Sequence, residues 1–273
     1  MVLFIDMINF SILWDPNPVI IEIFSFPIRW YSLFWIVALF SGTCVVHKVF
    51  KQQQLSEDNF NLLCIYAFFG ILIGARLGHC IFYDADYYLQ HPLEIILPVR
   101  ILPNDKIVFT GYAGLASHGG TIGLFLSLYL YHLKSKIRYI EVLDIIAIAA
   151  PLAAGFIRIA NFMNSEIIGL ETNMPWGVVF VQVDDKVRHP AQIYEALAYF
   201  SIFLILWTIY NKHKHRKPGF YLGACIFMIF TFRFVIEFLK ERQVDFEYGM
   251  LIDMGQILSI PFILLGLYLL VRK

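Results

Sequence analysis

The chain has 273 residues, of which 59% are hydrophobic and 15% charged, with a mean hydropathy of +0.67. About 25% charged residues is usual for a water-soluble domain, so this composition excludes a soluble globular enzyme. The 21 Lys and Arg balance the 21 Asp and Glu, and a formal charge of zero implies no bulk attraction to nucleic acid.

Residues 1–14 are apolar but have no basic leading region and no small-residue cleavage site, so they do not read as a signal peptide. They are too short to span a bilayer and stop at Asp15-Pro16-Asn17-Pro18, which suggests an interfacial segment. Seven apolar windows of about 20 residues follow: 31–50, 60–82, 113–133, 139–162, 191–210, 219–238 and 255–271. Each is expected to be helical, because lipid offers no partner to an open backbone hydrogen bond. The fold class is therefore all-α, a single polytopic domain over residues 1–273 with about seven transmembrane helices. Cys44, Cys64, Cys80 and Cys225 lie far apart in apolar runs, with no metal spacing and no disulfide framework.

The charges orient the chain. Lys48, Lys51, Lys134, Lys136, Arg138, Lys212, Lys214, Arg216, Lys217, Arg272 and Lys273 lie in alternate connections and the tail, with only Glu57 and Asp58 against them. The other connections hold Arg100, Lys106, Lys186, Arg188, Lys240 and Arg242 and most of the acids. Basic loops stay in the cytoplasm, so the N-terminus is expected outside and the C-terminus inside, with the longer loops on the outer face.

Polar side chains within spans are costly and mark function. Arg76 and His79, His118, Arg158 and Asn161, and Arg233 and Glu237 all fall near the outer ends of their spans, and Tyr31 opens the first span on that side. Three guanidiniums at one level suit phosphate oxygens, which points to an anionic headgroup in the outer leaflet. An intrahelical ion pair between Arg233 and Glu237, four residues apart, is the alternative use of those two charges. His118 lies in Ser117-His118-Gly119-Gly120-Thr121-Ile122-Gly123, where the glycines admit another backbone or a ligand. An imidazole there can accept a proton near neutral pH. The densest signal runs from Gly155 through Arg158, Asn161, Asn164 and Glu166 to Gly169: Arg158 and Asn161 share a helix face, and Asn and Glu beyond the helix end can orient the arginine.

That segment resembles the signature of the bacterial prolipoprotein diacylglyceryl transferases. The likeness extends in family order to Ile28-Arg29-Trp30-Tyr31, Gly74-Ala75-Arg76-Leu77-Gly78, Ser117-His118-Gly119-Gly120, Arg188-His189-Pro190-Ala191-Gln192-Ile193-Tyr194-Glu195-Ala196 and Arg233-Phe234-Val235-Ile236-Glu237-Phe238. Position 229 is Ile where that family usually carries Tyr, and residues 83–112 show no motif. The resemblance implies transfer of the sn-1,2-diacylglyceryl group of phosphatidylglycerol to the lipobox cysteine of a prolipoprotein signal peptide, with no cofactor or metal. It implies Arg158 and Arg233 at the lipid phosphate, with Gly169, Arg76 and His189 in the phosphatidylglycerol site. It further implies His118 as the thiol base and Tyr31, Asn161, Glu166 and Glu237 as the remaining essential set. The implied location is the bacterial inner membrane, with the site toward the outer leaflet. A transporter for an anionic solute would instead spread polar residues through the membrane depth and carry an internal repeat; neither feature is present in the sequence.

Overall fold

An apolar run in lipid must close its own backbone hydrogen bonds, and each of the seven windows forms a helix. The structure is a computed structural model, described for residues 12–23, 26–97, 99–101, 106–109, 114–213, 216–242, 250 and 252–272. In chain order the elements are β1 (Ile12–Trp14), β2 (Val19–Ile23), β3 (Phe26–Arg29), α1 (Trp30–Gln52), α2 (Glu57–Phe82), α3 (Ala85–Gln90), α4 (Pro92–Ile96), β4 (Val99–Ile101), β5 (Ile107–Phe109), α5 (Ser117–Ser135), α6 (Tyr139–Met163), β6 (Val178–Phe180), β7 (Val187–Arg188), α7 (Ala191–Lys212), α8 (Phe220–Ile236) and α9 (Met254–Val271). A 3₁₀ turn, Glu237–Leu239, follows α8.

Six of these helices are long and apolar enough to cross a membrane: α1, α2, α6, α7, α9, and α8 with its 3₁₀ extension. The protein is thus a polytopic, mainly α-helical membrane protein. The expected third span, α5, falls short by composition, since Ser117, His118, His132, Lys134 and Ser135 make both its ends polar. Ile36, Phe40, Leu126, Leu204 and Leu264 stand exposed on their helices, as side chains do when lipid is the solvent. The short strands depart from a purely helical expectation. They arise in the connections, where irregular backbone pairs with itself rather than leaving donors and acceptors open. The first eleven residues of the expected interfacial segment lie outside the described residues; its last three form β1.

The chain divides into two units, His47–Leu143 and Met1–Val46 with Asp144–Lys273. Within the first, α2 and α5 meet along a glycine seam. A Cβ built on Gly119 would lie 2.3 Å from the Gly74 carbonyl oxygen, and one on Gly123 would lie 2.1 Å from that of Gly70. The glycines beside His118 therefore serve a neighbouring backbone. The Ala116 amide even donates to the Ala75 carbonyl of α2 at 2.9 Å. The connection from residue 83 onward, which carries no sequence motif, builds α3, α4 and an antiparallel β4–β5 hairpin.

In the second unit, β1 pairs in parallel with β6, and β6 pairs antiparallel with β7. Ile168, Val178 and Phe180 form a small buried cluster there, covered by Trp14 and Phe162. This lid of strands sits on the C-terminal end of α6. At the opposite end of that helix, Asp144 accepts hydrogen bonds from the Gly219 and Leu222 amides, 2.6 and 2.8 Å, and so caps the start of α8. The start of α9 is closed by a capping box between Asp253 and Gln256.

Candidate functional site

The site grows from the end of α6. That helix stops in a Schellman turn: the Ser165 amide donates to Phe162 O at 3.1 Å and the Glu166 amide to Asn161 O at 3.0 Å. Ser165 takes the left-handed conformation the turn requires, with φ +54°. The turn brings the Glu166 carboxylate back over the helix end, where it accepts from Asn161 Nδ2 at 3.2 Å and Asn164 Nδ2 at 2.9 Å. Asn161 Oδ1 in turn accepts from Arg158 Nη1 at 3.3 Å. Only this orientation of the Asn161 amide satisfies a cation on one side and a carboxylate on the other. The Phe162 carbonyl at the helix end also accepts from the Trp14 indole at 3.0 Å.

Arg158 also faces α7. Its Nε lies 3.2 Å from Glu195 Oε2, an ion pair off the hydrogen-bonding axis, and Glu195 is fully buried. The other Glu195 oxygen is 3.4 Å from Lys240 Nζ, and Lys240 is 3.3 Å from Glu237 Oε2. A chain of alternating charge, Arg158–Glu195–Lys240–Glu237, therefore links three helix ends. Glu237 falls just past α8 and packs on the start of α9: a Cβ on Gly255 would lie 2.3 Å from Glu237 Oε1. The intrahelical pair between Arg233 and Glu237 does not form. The helix tightens to 3₁₀ at Glu237, and its carboxylate turns to Lys240 instead. Arg233 is half-buried and, among the described residues, has no carboxylate partner; it stands with Arg158 in the field around the Tyr199 hydroxyl.

Behind this cluster lies a frame of crossed backbone. Residues 168–171 run between the segment at Arg188 and that at Lys240, with Gly169 at the crossing. Its amide donates to His189 O at 3.0 Å, and the Leu170 amide donates to Leu239 O at 2.8 Å. A Cβ on Gly169 would lie 2.5 Å from His189 O and 2.9 Å from Leu239 O. Arg188, buried, staples the crossing through Gly169 O at 3.2 Å, Glu241 at 3.1 Å and Asp184. The bonds from Arg188 hold the Asp184 carboxyl below the usual carboxylate range, the effect expected of a guanidinium on a carboxylate. His189 Nδ1 is 3.2 Å from the Tyr194 hydroxyl, which accepts from the Trp176 indole at 2.7 Å. Gln192, fully buried, donates to Glu166 O at 2.6 Å.

The structure thus joins Arg158, Asn161 and Glu166 directly, links Glu237 to them through Glu195 and Lys240, brings the Arg233 charge to the Tyr199 hydroxyl that Arg158 also reaches, and puts Gly169 and His189 in the frame. Tyr31, half-buried at the start of α1, pairs with the Trp35 ring at 6.5 Å. In the other unit, Arg76 is buried and donates to the carbonyls of Ile95 (3.1 Å), Glu94 (2.5 Å) and Gly114 (3.4 Å), with its guanidinium over the Tyr88 ring. It clasps the connection beyond α2. His118 is exposed in the first turn of α5. Glu195, Lys240, Gln192 and Arg188 receive no site role from the sequence, although Arg188, Gln192 and Glu195 stand in the motif around His189. Glu195 carried a usable signal, a carboxylate inside an apolar window; Lys240 carried none, reading as a loop cation. Among the described residues no three His, Cys, Asp or Glu side chains are placed to share a metal ion.

What this arrangement offers is a partly buried, mostly compensated set of charges in which Arg233 has no carboxylate partner among the described residues, suited to an anion. Comparison with known proteins agrees in kind. Residues 18–272 match the family model for prolipoprotein diacylglyceryl transferase. The chain is 54% identical to a phosphatidylglycerol–prolipoprotein diacylglyceryl transferase from Bacteroides fragilis, over 94% of each protein. It is 40% identical to one from Chloroherpeton thalassium, over 96% of this chain and 94% of that one, and 37% identical to one from Porphyromonas gingivalis with the same coverage. With likeness of this depth along nearly its whole length, the chain belongs to the prolipoprotein diacylglyceryl transferase family and is a membrane-embedded transferase.

Proposed function

We propose that the protein moves the sn-1,2-diacylglyceryl group of phosphatidylglycerol onto the lipobox cysteine thiol of an exported prolipoprotein, the first step of lipoprotein maturation. The observation that carries the reading is Arg233, half-buried and without a carboxylate partner among the described residues, whose charge reaches the Tyr199 hydroxyl as that of Arg158 does, while Glu195 and Asn161 hold Arg158 in place. The thiolate attacks the glyceryl carbon that bears the phosphate, the carbon–oxygen bond breaks, and its electron pair leaves with glycerol-1-phosphate. A thioether forms and the thiol proton passes to a base, the role given to His118. A cysteine thiol with a pKa of about 8.5 is mostly protonated at neutral pH, so a base or a cationic field assists. Charge grows on the departing phosphate, and preorganised guanidiniums stabilise it without reorganising.

In this reading Arg158 and Arg233 hold the phosphate. Asn161 and Glu166 aim Arg158, while Glu237 and Tyr31 complete the reacting set. Gly169, Arg76 and His189 shape the lipid's surroundings, the first two through backbone. The whole chain acts as one domain in the bacterial inner membrane. Its N-terminus is outside, its C-terminus in the cytoplasm, and its site in the outer leaflet, as the basic loops imply.

The test is direct. Membranes bearing the protein are mixed with phosphatidylglycerol and a lipobox peptide, and the peptide is weighed. A gain of one diacylglyceryl unit that vanishes with a Cys→Ser peptide supports the reading, and no gain with folded protein overturns it. Arg158→Ala and Arg233→Ala should abolish transfer and His118→Gln should cripple it. Near-normal rates in all three would overturn the site assignment alone.

A further inference from the structure

Glu195 is the most deeply buried carboxylate of the described residues that touches the site, and the reaction as written uses it only to hold Arg158, leaving its charge without a role. A buried carboxylate costs several kcal/mol unless paired, and Glu195 is paired twice, to Arg158 at 3.2 Å and to Lys240 at 3.4 Å. Replacing such pairs with apolar groups is often harmless to stability, so packing alone gives little reason for this arrangement. Its consequence for charge is more specific. Arg158 and Lys240 pair with Glu195 and Glu237, and Arg233, whose charge reaches the Tyr199 hydroxyl, is the third cation; three cations against two carboxylates leave one positive charge. Glu166, the remaining carboxylate, is exposed to solvent and reaches Arg158 only through Asn161.

We propose that Glu195 is a positioning and specificity-determining residue. It pairs with Arg158 at Nε while Asn161 takes Nη1, which fixes the guanidinium, and it sets the cluster to the single positive charge that a phosphodiester monoanion neutralises. This rests on the transferase reading above. The substrate phosphate carries one negative charge, whereas the leaving glycerol-1-phosphate is a phosphomonoester of about −1.5 to −2 at neutral pH. Each added positive charge tightens the hold on the product more than on the substrate, so a single surplus charge binds the diester while keeping the product's hold weak enough for release. Without the Glu195 charge the surplus becomes two, and the product is held.

The experiment compares wild type with Glu195→Gln, Glu195→Asp and the charge-balanced double variant Glu195→Gln/Lys240→Met, measuring kcat, KM for phosphatidylglycerol and inhibition by glycerol-1-phosphate. Gln keeps the shape and an acceptor for Arg158, so E195Q should bind glycerol-1-phosphate more tightly, by on the order of tenfold for a unit charge several ångströms away in a partly wet site. Its kcat should fall while KM falls or holds. The double variant should return product inhibition to within about twofold of wild type, and E195D should recover much of kcat. A purely structural role predicts the opposite: weaker product binding in E195Q and a further loss in the double variant, in step with a lower melting temperature. Unchanged product inhibition in a folded E195Q overturns the proposal, as does failure of the double variant to restore it. If wild type itself transfers nothing, the transferase reading has failed instead.

Discussion

The substitution Gly169→Ala tests whether that glycine meets lipid or only backbone. An added Cβ would lie 2.5 Å from His189 O, 2.6 Å from His189 Cβ and 2.9 Å from Leu239 O, against 3.4 Å for an ordinary contact. The shortfall is roughly 0.9 Å, and the crowding atoms belong to backbone that cannot rotate away. His189 O is held by the Gly169 amide and Leu239 O by the Leu170 amide, so relief means lengthening one or two of these bonds at about 1 kcal/mol each. Overpacking adds about 1–3 kcal/mol, for a total on the order of 2–5 kcal/mol. At roughly 2–4 °C per kcal/mol for a large domain, the melting temperature in detergent should drop by about 10 °C. Turnover should fall with it, because the same shift drags Glu166 on one side and Lys240 on the other. The measurement is a thermal melt beside a phosphatidylglycerol titration of the folded fraction. If Gly169→Ala melts like wild type and only raises KM for the lipid, the glycine is a lipid contact and the steric account is wrong.

Three further outcomes follow from the same geometry. Ser165→Gly should stabilise by about 1 kcal/mol, since it relieves a left-handed serine and removes a buried hydroxyl with no partner among the described residues, and transfer should persist because the turn still places Glu166; a lower melting temperature would contradict this. Gly120→Ala meets nothing closer than Ala75 Cβ at 3.4 Å and should be neutral or stabilising by up to about 1 kcal/mol. Gly123→Ala on the same helix drives a Cβ to 2.1 Å from Gly70 O and should break the α2–α5 seam, as melts of the two variants side by side would show. For Asp184 the folded pKa is depressed by Arg188, so its contribution is complete above the unfolded value near 3.9 and is lost as pH falls through the folded one. Stability should therefore be insensitive to this group from pH 8 to 5 and decline below about pH 4, and Asp184→Asn should flatten that acid limb; an identical limb in the variant would refute the pairing.

Much of the fold was legible because lipid leaves the backbone few choices. A run of twenty apolar residues has one good solution, so the helices α1, α2, α6, α7, α8 and α9 fall where periodicity-free hydropathy puts them. The strands were not legible for the complementary reason. Ile12–Trp14 and Val178–Phe180 are three residues each, and nothing in so short a run says that its partner lies more than 160 residues away. Glycine was ambiguous in the same sense. Spacing shows that Gly119 and Gly123 want something close, and only the coordinates show that it is the α2 backbone.

Within the site, sequence can place charges but cannot pair them. Arg76, Arg158 and Arg233 read alike as guanidiniums near one end of their spans, yet the fold uses them differently. Arg76 is committed to carbonyls of the connection beyond α2, and Arg158 is shared between Glu195 and Asn161. Lys240, counted among loop cations, is buried between two carboxylates. Placing a span edge at residue 191 keeps attention off Glu195 one turn further in, although a carboxylate inside an apolar helix is costly enough to require a partner. A field of several cations would hold the doubly charged product much harder than the substrate phosphodiester; one surplus cation among compensated neighbours keeps that difference small enough for release. On that account the chemistry depends on the carboxylates as much as on the arginines, since they decide which cation is left to meet the lipid.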